Sequence, residues 1–382
     1  MKFKYIVLLF FFFATMLTSL WPNNIYLLFV FSLLSWGVLP RNRWWDDISI
    51  SLLFFSIFYC LMQYMNIGIG SRFMFFSMLL APVAFYRFGR WIMICKNDEK
   101  TRLLFLFFTF LCFLFPLFLL TIEDMMLVGF VNESRFMLNS IGKEDTTLSA
   151  TLYGLMSSTG IGFISVLFAQ SLKNKPKIIF LTLSIMSILV VLHLVNRTGL
   201  VLLAVCILFS IIYTSRMRFA KIFHAVLILL VMIGVVINSG VISQDVLDAY
   251  MQRETSSAAS AIELGGRSDL WDNAVFNLFI HPFGWDRVRY AHNLWLDLAA
   301  LGGWLALLPF LIASFKIVKD VIKITKSQVT PFRLVLLSTF VSMFFNSMVE
   351  PVIEGSLLFF FLFMMVWGML KSVLQELNAP IK

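Results

Sequence analysis

The sequence predicts an all-α integral membrane protein: about twelve transmembrane helices in one domain, residues 1–382, with a partly helical loop at 241–292 between the ninth and the tenth. Three observations carry that prediction. The chain is 60% hydrophobic and only 13% charged, with 43 Phe and a mean hydropathy of +0.89, whereas soluble domains carry about 25% charged residues. Its apolar residues fall into successive runs of about 20 residues, the length a helix needs to cross a bilayer. Its Lys and Arg gather in alternate loops, the pattern that the positive-inside rule gives a multi-pass protein.

The opening, Lys2 and Lys4 followed by YIVLLFFFFATMLTSLW, has the basic and apolar parts of a signal peptide without a small-x-small cleavage site, so 5–21 reads as a retained first span. Further runs at 24–39, 48–66, 73–87, 103–121, 149–172, 178–194, 199–214, 222–240, 293–315, 333–349 and 355–371 complete the set. Each is expected to be helical, because a backbone in lipid must satisfy its own polar groups. Cys60, Cys95, Cys112 and Cys206 lie in or beside these runs with no paired or metal-type spacing, and read as packing residues.

With the N-terminus inside, 22 of the 30 Lys and Arg fall in inner loops; those outside are Arg72, Arg135, Lys143, Arg197, Arg253, Arg267, Arg287 and Arg289. Both termini are therefore expected in the cytoplasm, with 265–292 facing outward. The net charge of +9 would suggest nucleic acid in a soluble chain, but here it sits in short orienting loops, and no nucleic-acid partner is implied. Only two loops, 122–148 and 241–292, are long enough to hold structure, and both belong to the outer face. A protein that spends its spare residues on one face works on that face.

Within the larger loop, SQDVLDAYMQRETSSAASAIEL is helix-compatible, with a small-residue break at Ser256–Ser260. A second helix follows. Ser268 suits its cap, Asp269 and Asp272 suit the positive end of its dipole, and Leu270, Trp271, Ala274, Val275, Leu278 and Phe279 make an apolar stripe. His281-Pro282 ends it, because proline disfavours helical geometry in the residue before it. Such a helix is expected to lie along the outer membrane surface.

Ionisable groups concentrate at this face. Arg197 lies in the turn VNRTG, Arg267 in GGRSDLW, and His292-Asn293 heads the tenth span. A guanidinium fork matches phosphate oxygens, and an imidazole can take a proton from a hydroxyl near neutral pH. Each residue also has a plainer reading: Arg197 snorkelling to headgroups, Arg267 pairing with a loop acid, His292 anchoring the interface beside Tyr290 and Trp295. Arg287 and Arg289 suit a phosphate clamp or a solvated loop; Asp269 and Asp272 suit a helix start better than a metal. Asp297 stands one turn into the tenth span on the face of Asn293, a buried acid and so a functional candidate, or else a charge stabilising the helix start. Glu350 and Glu354 flank Pro351 as a further acidic pair.

Taken in order, Asn196-Arg197-Thr198-Gly199, Gly266-Arg267, Trp271, Pro282-Phe283-Gly284 and His292-Asn293 give a pattern over about residues 150–310 that resembles the O-antigen polymerase and O-antigen ligase family of bacterial membrane glycosyltransferases. The resemblance implies a type C glycosyltransferase-like fold in the bacterial inner membrane, with 241–292 as a periplasmic cap over the active site. It implies an inverting, metal-independent transfer from an undecaprenyl-diphosphate-linked glycan, with no cofactor. Arg197 and Arg267 would hold the diphosphate and His292 would activate the acceptor hydroxyl. Trp271, Arg287, Arg289, Asn293 and Asp297 would bind substrate. Lipid-linked donor and acceptor, membrane lipids and a chain-length regulator are the implied partners. The sequence agrees in having no Asp-x-Asp pair and no His/Cys cluster, so side chains must supply the cations for the leaving group. Gly303 matches the glycine that follows the ligase His-Asn pair, whereas Ala306 departs from the next position. That favours a polymerase over a ligase.

A transporter of polysaccharide or lipid-linked sugar shares the layout, but transporters carry internal repeats and charged, broken helices near the midplane, and neither is seen. The orientation is open to direct test: a membrane-impermeant maleimide should label cysteine placed at Ser257 in intact spheroplasts, and leave cysteine at Lys4 or Asn378 unlabelled until the membrane is opened.

Overall fold

The structure, a computed structural model, describes residues 3–21, 23–40, 45–69, 71–95, 98–141, 147–215, 248, 267–285 and 290–379. In chain order the helices are α1 (Phe3–Leu17), α2 (Asn24–Val38), α3 (Asp47–Ile67), α4 (Arg72–Cys95) and α5 (Glu99–Val128). Strands β1 (Phe136–Leu138) and β2 (Thr147–Ser149) follow, then α6 (Ala150–Ile161) with a 3₁₀ continuation Gly162–Phe168, α7 (Asn174–His193) and α8 (Arg197–Ser215). The last part holds α9 (Arg267–Ile280), α10 (Leu294–Thr325), α11 (Pro331–Ser347), the one-turn α12 (Val352–Gly355) and α13 (Leu357–Asn378). Among the described residues eight helices are long and apolar enough to cross a membrane: α3, α4, α5, α6 with its continuation, α7, α8, α10 and α13. The protein is thus all-α and multi-pass, apart from the short antiparallel pair β1–β2. The expected span at 222–240, the first helix of the 241–292 loop, and Arg287 and Arg289 lie outside the described residues.

Two compact units form. One comprises Met1–Pro116, Asp269–Gln328 and Ser347–Lys382, the other Leu117–Ser268 and Val329–Asn346. In the first, α3 packs on α10 and α4 on α13. The second pair meets backbone to backbone. A Cβ on Gly89 would lie 2.1 Å from the carbonyl oxygen of Met365, and one on Gly368 would lie 2.0 Å from that of Tyr86. Small residues permit this approach, which helices in lipid use because hydrophobicity alone does not drive them together. Phenylalanine fills the remaining space: Phe12 meets Phe31, Phe85, Phe88 and Phe105, and Phe310 meets Phe55, Phe360 and Trp367.

The sequence places an inner loop at 87–102, but α4 runs on to Cys95, with Arg87 and Arg90 only 2% and 3% exposed. Hydropathy counts an arginine as an end of span; here the charges are matched inside the bundle. Asp46, which caps α3, accepts from Arg90 at 2.6 Å and from the Tyr86 hydroxyl at 2.7 Å, and Arg90 also donates to Gln375 at 2.9 Å. Arg87 lies over the rings of Trp36 and Trp45. Arg102 forks onto Glu376, and Lys371 reaches Asp320 at 3.0 Å. Helix α10 likewise outruns the expected span by ten residues, to Thr325, with Asp320 and Lys371 bonded beyond the apolar segment.

In the second unit α6, α7 and α8 pack with the 3₁₀ segment. Gly162 passes against Thr339 of α11, leaving no space for a side chain, and Asn346 donates to the carbonyls of Gly154 and Leu155.

Removing one partner of a buried pair strands the other's charge, at a cost of about 3–5 kcal/mol. Arg90→Ala should therefore lower the melting temperature of the detergent-solubilised protein far more than Lys316→Ala, whose partner Asp47 is half exposed.

Candidate functional site

The segment joining α9 to α10 is fastened at two places within the first unit. The first is a break in α10. Gly303 has φ 57° and ψ −164°, outside the helical region. The Trp304 N–H, which a continuous helix would direct to Ala300, donates instead to the carbonyl of Pro282 at 2.8 Å, and Ala300 accepts from the Trp285 N–H at 2.7 Å. Asn66 of α3 closes the joint by donating to the carbonyls of Phe283 and Leu301. Side chains are excluded here, since a Cβ on Gly303 would fall 2.3 Å from the Pro282 oxygen and one on Gly284 would fall 2.7 Å from the Leu301 oxygen. The Pro282-Phe283-Gly284 and Gly303 motifs are thus the two halves of one contact.

The second fastening surrounds His292. Asp297, 1% exposed, accepts from the Ala291 N–H at 2.8 Å through one carboxylate oxygen and from the Asn293 N–H at 3.3 Å through the other. Asn293 caps α10, accepting from Trp295 and Leu296, and its amide donates to the carbonyl of Met348 at 3.0 Å. The Trp271 indole of α9 donates to the carbonyl of Ala291 at 2.7 Å. Between these ties His292 is held at φ 53°, a left-handed conformation that non-glycine residues adopt rarely and that clusters at functional sites. Its Nδ1 stands 4.0 Å from a carboxylate oxygen of Glu350, which is buried just past the end of α11, while the imidazole keeps 30% exposure.

Of the residues expected to touch substrate, Trp271 and Asp297 bond the backbone on either side of His292, and Asn293 ties the start of α10 to Met348. Helix α9 forms as expected, includes both Arg267 and Ser268, and stops before His281-Pro282. Ala274 and Leu278 of its stripe are buried, while Val275 and Phe279 are exposed.

In the second unit, α7 and α8 are joined by Leu194, Val195 and Asn196, leaving Arg197 as the first residue of α8. Val195 has φ 50°, strained for a β-branched side chain. The turn is held by Asn196, whose buried amide donates to Ala150 at 2.9 Å and whose oxygen accepts from the Gly199 N–H at 3.0 Å. Gly154 makes room for that amide, since a Cβ there would meet it at 2.0 Å. Arg197, which heads α8, and Arg267, in α9, are both partly exposed.

The sequence reading missed His193, four residues before Arg197. It is fully buried, with Nδ1 2.8 Å from the carbonyl of Phe130 and Nε2 2.8 Å from Asp124 Oδ2. A carbonyl can only accept, so Nδ1 carries a proton, and the Nε2–Oδ2 contact requires a second proton shared by the pair. Asn132 donates to the same Asp124 oxygen at 2.6 Å, and its own N–H bonds the carbonyl of His193 at 2.7 Å. An ionisable residue inside an apolar run was the available signal; His193 lies within the expected span 178–194. No protein-family model and no curated protein sequence matches the chain.

Stranding two N–H groups next to His292 costs about 1–3 kcal/mol each. Asp297→Ala should therefore lower thermal stability and open the segment around His292 to protease, whereas Asp297→Asn, which keeps one acceptor oxygen and strands one N–H rather than two, should lose roughly half as much.

Proposed function

We propose that the protein is a surface-polysaccharide polymerase of the bacterial inner membrane, crossing it about twelve times with both termini in the cytoplasm and acting at the outer face. One observation supports this most: a partly exposed imidazole is fixed in a left-handed backbone by a buried carboxylate that binds the amide on each side of it, and faces a second buried acid, Glu350. A residue kept only as an interface anchor needs no such scaffold.

In this reading a growing glycan on undecaprenyl diphosphate is the donor, and a hydroxyl of a lipid-linked repeat unit is the acceptor. The hydroxyl oxygen attacks the anomeric carbon while the bond from that carbon to the diphosphate oxygen breaks, inverting the centre. His292 takes the hydroxyl proton, and Glu350 stabilises the imidazolium that results, the role a carboxylate plays toward a catalytic histidine elsewhere. The guanidinium groups of Arg197 and Arg267 compensate the charge on the departing undecaprenyl diphosphate. Asp297, Asn293 and Trp271 position the base rather than touch substrate. Ala306, the departure from the ligase pattern, favours chain growth over transfer to lipid A-core.

The test is the surface-polysaccharide ladder of cells carrying single substitutions. Arg197→Ala, Arg267→Ala and His292→Ala should each reduce long chains at least a hundredfold, leaving core with a single repeat unit. Bare core would indicate a ligase, single units stranded on the inner face would indicate a flippase, and an undisturbed ladder in all three would remove the enzymatic reading.

A further inference from the structure

Beside the turn that carries Arg197 lies a cavity of about 160 Å³, lined by Leu120, Glu123, Asp124 and Leu127 of α5 together with Leu138 and Ser140. The four α5 residues share one face, being spaced three and four apart. Glu123 is held through one oxygen, which accepts from the Ser140 hydroxyl at 2.6 Å. Asp124 is held through Oδ2, shared by His193 and Asn132. Each acid thus keeps its second oxygen for another donor, and among the described residues none supplies one. The phenol of Tyr153 is fully buried within electrostatic reach of Asp124, and its hydroxyl has no partner among the described residues.

This lining selects among ligands. Two carboxylates repel a phosphate. Among the described residues, Glu123, Asp124 and their neighbours do not form a group able to hold a metal ion. What remains is a small molecule with several hydroxyl donors and an apolar face, since carboxylates accept from hydroxyls and Leu120, Leu127 and Leu138 cover C–H surface. The volume is well below the roughly 300 Å³ at which drug-sized sites begin, so it suits one sugar ring rather than an oligosaccharide. We infer that this cavity is a monosaccharide subsite in which Asp124 and Glu123 accept hydroxyl hydrogens from one residue of the glycan, with His193 and Asn132 as positioning residues that fix the Asp124 carboxylate. The assignment rests on the polymerase reading for the source of the sugar.

The probe is the set of monosaccharides released by acid hydrolysis of the producing cell's own surface polysaccharide. Each is presented at millimolar concentration to the full-length protein in detergent and read by saturation-transfer NMR. One sugar should give a signal that Asp124→Asn and Glu123→Gln each weaken at least tenfold. Both variants keep the side-chain shape and one acceptor oxygen, and the exposed Glu123 gives a variant that folds even if Asp124→Asn does not. No signal with the native protein, or a signal that Glu123→Gln leaves unchanged, overturns the subsite. So does calorimetric binding of calcium ion that both variants abolish, which would make the cavity a cation site. In cells, Glu123→Gln should shorten the ladder without abolishing it. If the cavity assignment alone fails, Arg197→Ala still loses long chains while Glu123→Gln is normal; if the polymerase reading fails, the Arg197→Ala ladder is normal.

Discussion

The exchange of hydrogen bonds at Gly303 is the constraint on which the His292 segment depends. A helix in an apolar medium cannot leave a carbonyl or an N–H without a partner, so a break in α10 can persist only if another stretch of backbone takes over the freed groups. Pro282, Trp285 and Asn66 do so, and by doing so they bring the end of α9 onto the side of α10. Asp297 adds a second tie by binding the amides on both sides of His292.

The second unit reaches a similar result by different means. There a bend of three residues between α7 and α8 sets Val195 in a strained conformation, and the cost is met by Asn196 and by the bond from Asn132 to the carbonyl of His193. The same Asn132 that secures the bend also grips Asp124. Backbone geometry and the placement of an ionisable pair are therefore one arrangement, and disturbing either disturbs both.

The helices were largely legible in the sequence. The break between α7 and α8, resting on a short polar interruption at Asn196-Arg197, falls where the apolar pattern stops, and α2 matches its expected bounds to within a residue. Helix ends were less so, because hydropathy treats Arg87, Arg90 and Lys316 as solvent-facing, and only their partners on distant helices show that they are matched within or beside the bundle. Of the candidate site, type and order mark out His292, Trp271 and Asp297 in the sequence, but the bonds that Trp271 and Asp297 make to the backbone beside His292 were not legible there, since a substrate contact and a backbone clamp demand the same residue types. His193 carried a signal as an ionisable residue inside an apolar run, but its partner, 69 residues away, could not be read.

The packing of Gly89 against Met365 and of Gly368 against Tyr86 also bears on how this protein could move. With carbonyl oxygens filling the space where side chains would begin, α4 and α13 cannot slide along each other by a turn without a steric collision. They behave as one stiff strut, and any breathing of the first unit has to be borne by other helix seams.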